Sequence, residues 1–121
     1  MTHVLDSNIS IYYLGGRLAQ PLPTNDILVS VITEIEVLSY PQMTLDEEAK
    51  AAAFLSSVIV IALTPEVRDS AIRLRREHRL KLPDAIVAAT AFVLNAELLT
   101  NDGRLLRLPE LRVRSVRLRD A

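Results

Sequence analysis

Residues 58–79 read VIVIALTPEVRDSAIRLRREHR, and this stretch indicates a strand that passes directly into a helix. VIVIAL at 58–63 is apolar at every position, as expected of a strand with both faces covered. Thr64, Pro65 and Glu66 then supply a capping residue, a proline at the first helical position and an acid in the first turn. We expect the helix to run to about Arg79. Such a junction is typical of α/β proteins.

The same alternation of strand and helix runs through the rest of the 121-residue chain. Strands are predicted at 3–5, 27–30, 58–63, 97–100 and 112–118. Helices are predicted at SNISIYYL (7–14), which Gly15 and Gly16 end, and at about 32–39, 46–57, 65–79 and 84–95. Strands separated by helices imply parallel pairing with right-handed crossovers. We therefore predict one α/β domain over residues 1–121, a three-layer α/β/α sandwich around a small parallel sheet of about five strands.

Composition narrows the kinds of site that the chain can build. There is no cysteine, which excludes disulfides and thiolate zinc sites and suits a reducing compartment. His3 and His78 are far apart and have no ligand-like spacing. A metal would therefore be a hard cation held by oxygen, Mg²⁺ or Mn²⁺. The apolar stretches are too short to span a bilayer and no signal peptide is visible, so we expect a cytoplasmic protein.

The two halves of the chain carry opposite charge. Residues 1–66 hold eight acids and two bases, whereas residues 67–121 hold seven acids and twelve bases. A polyanion would be attracted to the basic half, in which Arg73, Arg76, Arg112 and Arg114 are candidate phosphate contacts. The alternative is that these arginines form a solvated helix face and the outer side of an edge strand.

Four acids follow or interrupt apolar segments where a strand would pass into a loop or helix: Asp6, Glu36, Asp84 and Asp102. In open parallel sheets, ligands bind beyond the carboxyl ends of the strands. Asp84 is the only charged residue in the segment DAIVAATAFVLN, and a buried carboxylate must be paired, capped or bound to metal. Four carboxylates in one place repel each other strongly, which makes such a site a trap for cations.

Each acid also has a purely structural interpretation. Asp6 suits an N-cap, Asp84 suits a first-turn acid favoured by the helix dipole, and Asp102 suits an Asp-Gly turn. Glu34 and Glu36 are roughly 200° apart on an ideal helix, so helical geometry alone does not choose between them.

Four motifs occur in a characteristic order: LDSNI at 5–9, SVITEIEVL at 30–38, LPDAIVAATA at 82–91 and LLTND at 98–102. With this order and spacing the chain resembles PIN-domain ribonucleases, most closely the VapC toxins of bacterial and archaeal toxin-antitoxin pairs. The resemblance covers nearly the whole chain and implies a PIN-like fold.

The resemblance also assigns residues. It implies that the metal-binding, catalytic acids are, in chain order, Asp6, Glu36, Asp84 and Asp102. Glu36 is selected over Glu34 because it lies six residues after Ser30 in the pattern S-x-x-T-x-x-E. Four further side chains match polar positions near such a site: Asn8, Ser30, Thr33 and Thr100.

The function implied by the resemblance is a Mg²⁺- or Mn²⁺-dependent endoribonuclease. One or two metal ions activate water and relieve charge during phosphodiester cleavage. The implied partners are RNA, a small VapB-like antitoxin and a second copy of the chain in a homodimer. A non-catalytic PIN-like module that binds RNA or protein is the main alternative. A receiver-like phosphate sensor is more remote, because arginines stand where a lysine is expected at the end of the last strands.

Overall fold

Five strands form one parallel sheet with the order β3-β2-β1-β4-β5 in the computed structural model, which describes residues 1–23 and 26–120. The strands are β1 (His3–Leu5), β2 (Ile27–Ser30), β3 (Ile59–Ile61), β4 (Glu97–Leu99) and β5 (Val113–Arg114). The helices are α1 (Ser7–Leu14), α2 (Val31–Leu38), α3 (Leu45–Ser57), α4 (Pro65–His78), α5 (Leu82–Val93) and α6 (Gly103–Leu106). The predicted parallel α/β architecture is confirmed.

Alternating side chains of the central strands bury opposite faces of the sheet. Val4, Leu28 and Leu98 are aligned across three strands and pack with α4 and α5 in one core. The next residues along these strands pack into a second core with Ile9 of α1 and Phe54 of α3. They are Leu5, Val29 and Leu99. Because both faces of a parallel sheet are apolar, helices cover both, and the sandwich has three layers.

Local sequence explains where the helices begin. The Thr64 hydroxyl accepts a hydrogen bond from the Val67 amide at 3.2 Å, and Pro65 occupies the first turn, as predicted. Helix α4 ends at Arg79, which adopts a left-handed conformation with φ of 53°. Within residues 1–23 and 26–120, no helix is long and apolar enough to cross a membrane.

The third strand differs from its prediction. Only Ile59–Ile61 pair in the sheet, rather than all of 58–63, and Ile59 is 57% exposed. The expectation that both faces are covered is wrong, because β3 lies at the edge of the sheet. An unbroken apolar run is compatible with an edge strand as well as a central one, and periodicity does not separate the two.

Two other elements differ from their predicted bounds by more than one residue, and one helix was not predicted. Helix α5 begins at Leu82, so Asp84 lies within its first turn rather than starting it. Strand β5 is reduced to Val113–Arg114, since the chain beyond it leaves the sheet and Leu118 instead bridges to Leu18 in antiparallel orientation. Helix α6 was not predicted, because the Asp-Gly sequence at its start is also typical of a turn.

Candidate active site

The four predicted acids come from four different elements that meet near the carboxyl ends of the central strands. Asp6 follows β1 and caps α1, and Asp102 lies just beyond β4 and caps α6. Glu36 lies on α2, which begins directly after β2, and Asp84 lies in the first turn of α5. The charges of Asp102 and Glu36 act on Asp6, and the charges of these three acids act on Asp84. The parallel topology therefore brings together residues that are up to 96 positions apart in sequence.

Asp6 is the most deeply buried of the four and is held by two hydrogen bonds. The residue is only 7% exposed to solvent. Oδ1 accepts from the Ile9 amide at 2.8 Å, and Oδ2 accepts a short hydrogen bond from the Thr100 hydroxyl. Thr100 Oγ1 in turn accepts from the Asp102 amide at 3.0 Å. Thr100 thus connects the ends of β1 and β4.

A hydrogen bond from α1 distinguishes Glu36 from Glu34. The Ser7 hydroxyl donates to Glu36 Oε1 at 2.6 Å and lies 3.0 Å from Thr33 Oγ1. Glu36 also contributes to the electrostatic environment of both Asp6 and Asp84, whereas Glu34 does not. Glu36 is therefore the acid of α2 that lies near Asp6 and Asp84.

Asp102 and Asp84 keep carboxylate oxygens available. Asp102 Oδ1 accepts from the amides of Arg104 and Leu105 at 2.8 and 3.2 Å, while Oδ2 has no hydrogen-bond partner within residues 1–23 and 26–120. Asp84 makes no side-chain hydrogen bond to any residue that the structure describes. Both carboxylates can therefore accept a ligand without breaking an existing contact.

Burial and mutual repulsion raise the pKa of two of these carboxyl groups. Burial is the larger cause of the raised pKa of Asp6, hydrogen bonds from Thr100 and Ile9 oppose it, and the charges of Asp102 and Glu36 add to it. Burial also raises the pKa of Asp84, followed by the charges of Asp102 and Asp6, against a lowering effect of Lys81. A nearby cation would relieve this repulsion.

A role in capping helices is compatible with a role of the same acids in a cation site. Asp6 and Asp102 are N-caps, and each cap uses Oδ1. Asp102 caps a short helix rather than forming only an Asp-Gly turn. Capping therefore holds both carboxylates through Oδ1 and leaves Oδ2 of each outside the cap.

Among the polar positions that the resemblance singled out, Thr100 and Thr33 contact the acids or their partner Ser7. Ser30 caps α2 through the Ile32 amide, and Asn8 is exposed. The hydrogen bond from Ser7 to Glu36 was not predicted from the sequence. It joins segments 29 residues apart, a contact that local sequence does not reveal.

A different trio has the more compact arrangement of possible metal ligands. Ligand atoms of Glu77, His78 and Glu110 all lie within 4.8 Å of one another. His78 Nε2 is 2.9 Å from Glu110 Oε2, an ion pair that accounts for this grouping without metal. We favour the four acids as the cation site because their oxygen-only donor set suits Mg²⁺ or Mn²⁺. Lys81 acts on Asp84, but among the described residues none of the four acids forms an ion pair.

The larger surface grooves also lie elsewhere. A groove of about 530 Å³ runs between α4 and α5 and contains none of the four acids. Its walls combine apolar side chains such as Ile72 and Leu82 with the guanidinium groups of Arg75, Arg76 and Arg79. The acids instead occupy an open edge, at which Glu36 is exposed.

Comparisons with known proteins agree with this arrangement. The family profile described as "PIN domain" matches residues 3–111. VapBC2 from Rickettsia felis, solved with a DNA fragment from its promoter, is 23% identical with a TM-score of 0.80, covering 95% of this chain and 98% of that chain. A toxin-antitoxin complex from Klebsiella pneumoniae is 29% identical with a TM-score of 0.77, covering 91% and 95%.

DNA-bound VapBC from Salmonella typhimurium is 20% identical with a TM-score of 0.78, covering 95% of this chain and 98% of that chain. No curated protein sequence matches the chain significantly. The resemblance that the four motifs indicated is confirmed by the family profile and by these folds.

Proposed function

The chain belongs to the PIN domain family, and on that basis we propose that it is a metal-dependent endoribonuclease and the toxin of a VapBC-type toxin-antitoxin pair. The observation that carries the proposal is the convergence of Asp6, Glu36, Asp84 and Asp102 at one sheet edge, where their charges act on one another. An acidic site of this composition favours a hard divalent cation.

Each acid has a distinct way of being held for this task. Asp6 is fixed by Ile9 and Thr100, and Glu36 by Ser7. The amides at the start of α6 fix Asp102. Asp84 is held only by its position on α5, so it can adjust when a ligand enters. When bound, Mg²⁺ or Mn²⁺ supplies Lewis-acid stabilisation of the phosphate and a more acidic water.

The charge of the chain and its structural relatives support the proposed substrate and partners. RNA is the proposed substrate, because the basic half of the chain offers cations for a phosphate backbone. The Klebsiella pneumoniae relative is a toxin-antitoxin complex, which supports a small VapB-like antitoxin as partner. We further propose a homodimer of single-domain chains that acts in the cytoplasm, a reducing compartment that suits a chain without cysteine.

One observation favours the alternative of a non-catalytic PIN-like binding module. Asp6 and Asp102 both cap helices, and this capping is sufficient to explain why they occupy their positions. Capping does not explain Glu36 or Asp84, since neither accepts a capping hydrogen bond. Glu36 and Asp84 are therefore the residues that separate the two functions.

The test is RNA cleavage by the purified chain with Mg²⁺, compared with Glu36→Gln and Glu34→Gln. Both substitutions remove one acid from α2, but only Glu36 acts on Asp6 and Asp84. We expect Glu36→Gln to lower kcat/KM by at least about 100-fold, which is about 2.7 kcal/mol of transition-state stabilisation. Glu34→Gln should cleave at close to the wild-type rate.

Chelation provides the second arm of this experiment. Excess EDTA should abolish cleavage by the wild-type chain, and Mg²⁺ or Mn²⁺ should restore it. Cleavage that continues undiminished in EDTA would rule out the metal mechanism. Equal losses in the two glutamate variants would show that the proposed acid set is wrong, and no cleavage by the wild-type chain of any RNA tested would favour the binding module.

A further inference from the structure

A small basic pocket lies beside the acidic site. It has a volume of about 340 Å³ and is lined by His78, Arg79, Leu80, Arg104, Arg107 and Leu108. Its position is set by α6, which begins at the cap Asp102 and carries Arg104 in its first turn. The Arg104 amide is 2.8 Å from Asp102 Oδ1. One short helix therefore holds an acid of the site and a cation of the pocket.

The two other arginines of the pocket also lie at α6: Arg107 is its C-cap, and Arg79 contacts Arg104. Arg79 lies just after α4, and its carbonyl oxygen is 3.4 Å from Arg104 Nη1. A Cβ atom built on Gly103 would lie 3.9 Å from Arg107 Nη1, so the Arg107 guanidinium folds back toward the residue that follows Asp102. Three arginine side chains thus line one pocket next to α6, the helix that Asp102 caps.

These three arginines have no acidic partner within residues 1–23 and 26–120. His78, which also lines the pocket, is paired with Glu110 at 2.9 Å. By contrast, three of the four arginines that the sequence suggested are engaged elsewhere. Arg114 pairs with Glu97, Arg112 donates to the Asn95 carbonyl, and Arg73 lies over the Phe92 ring.

The chemistry of the pocket fits a phosphate group. A guanidinium group presents two parallel N–H donors that match phosphate oxygens, and three such groups around one cavity suit an anion. The neighbouring carboxylates repel an RNA backbone. Cationic side chains along the path of the RNA would offset this repulsion and favour binding. The larger groove between α4 and α5 also holds arginines, but none of its lining residues lies on α6, the helix that Asp102 caps.

We propose that Arg79, Arg104 and Arg107 bind one phosphate of the RNA backbone next to the bond that is cut. This proposal rests on the proposed endoribonuclease function and adds to it the path of the substrate. The RNA runs from the acids over α6 into the pocket, where the arginines hold the phosphate equally in the ground state and the transition state. Their loss therefore changes RNA affinity more than the chemical step.

The experiment measures binding of a fluorescein-labelled oligoribonucleotide in EDTA, at several salt concentrations, by fluorescence anisotropy. Arg104→Gln and Arg107→Gln should each weaken binding about tenfold and reduce the slope of log K against log salt by about one. Arg112→Gln is the matched control, because it removes the same charge near the start of β4, at the opposite edge of the sheet. Arg104→Lys should recover the salt slope but not the full affinity.

Three further readouts make the outcomes distinct. The melting temperature and its rise with Mg²⁺ should be unchanged in all of these variants, and KM for RNA should rise while kcat changes little. If the wild-type chain cleaves RNA but Arg104→Gln and Arg107→Gln behave like Arg112→Gln, the pocket proposal is wrong and the endoribonuclease proposal stands. If the wild-type chain neither binds nor cleaves RNA, both are wrong.

Polyglutamate serves as the probe for an acidic protein segment. Substitutions that weaken polyglutamate binding and leave RNA binding unchanged would show that the pocket takes a protein partner, which overturns the RNA proposal. A stronger effect on RNA than on polyglutamate supports it.

Discussion

Replacing Asp84 with asparagine separates a cation site from a helix-start role, because the two predict opposite changes in stability. Asp84 lies in the first turn of α5 and makes no side-chain hydrogen bond to a described residue. Asparagine would lose the interaction with the helix dipole, about 0.3–1 kcal/mol, and the attraction of Lys81. It would also remove a charge that repels Asp6 and Asp102. Such repulsion is about 1 kcal/mol for a solvated pair at about 4 Å and grows as solvent is excluded.

The net effect on the metal-free chain should lie between zero and about 1 kcal/mol of stabilisation. For a chain of 121 residues, 1 kcal/mol shifts the melting temperature by about 4 °C. Mg²⁺ at about ten times its Kd stabilises the wild-type chain by about 1.4 kcal/mol, or about 6 °C. Asp84→Asn should lose most of this rise. Circular dichroism melting in EDTA and then in Mg²⁺ measures both quantities.

Glu66→Gln is the matched control for this experiment. Glu66 is an exposed first-turn acid of α4 and does not act on the four acids. Its loss should lower the melting temperature slightly and leave the Mg²⁺-induced rise intact. If Asp84→Asn also melts lower in EDTA and still rises with Mg²⁺ as much as wild type, Asp84 is only a helix-start acid and the reasoning fails.

Two further predictions concern hydrogen bonds. Thr100→Val removes a hydroxyl that donates to Asp6 and accepts from the Asp102 amide. The free energy of unfolding, measured by calorimetry, should therefore fall by about 1–3 kcal/mol. An unchanged melting temperature would contradict the role of these two hydrogen bonds. Burial is the largest single influence on the pKa of Glu110 and raises it. The hydrogen bond from His78, a backbone hydrogen bond and the charges of His78 and Arg73 together outweigh burial and lower this pKa from 4.5. The stability from this carboxylate is therefore present above that value and lost as pH falls through the lowered pKa. Glu110→Gln should melt lower at neutral pH, by up to about 1 kcal/mol, and match wild type in strong acid; a difference independent of pH would refute this.

Where local signals were strong, the sequence predicted the fold closely. Thr64-Pro65-Glu66 marked the start of α4, and Gly15 ended α1 as expected. These signals act within one helical turn, so they do not depend on the rest of the fold. The edge position of β3 depends instead on which strands pair, and its apolar residues do not encode that. Strand β5 was overestimated for the same reason.

The candidate site shows the same division between local and long-range information. The strand-to-helix junction at Asp6 and the isolated charge at Asp84 are visible in sequence, and the family pattern selected Glu36. The bond from Ser7 to Glu36 and the neighbourhood of Arg104 and Asp102 depend on tertiary packing or on an unpredicted helix. The metal-binding role of the four acids stays a prediction.

Anomalous diffraction from crystals soaked in Mn²⁺ tests the central claim most directly, because it locates the cation without relying on activity. We predict a peak among Asp6, Glu36, Asp84 and Asp102, lost when the wild-type chain is replaced by Asp84→Asn. A peak only at Glu77, His78 and Glu110, a trio whose ligand atoms lie within 4.8 Å of one another, would contradict the account.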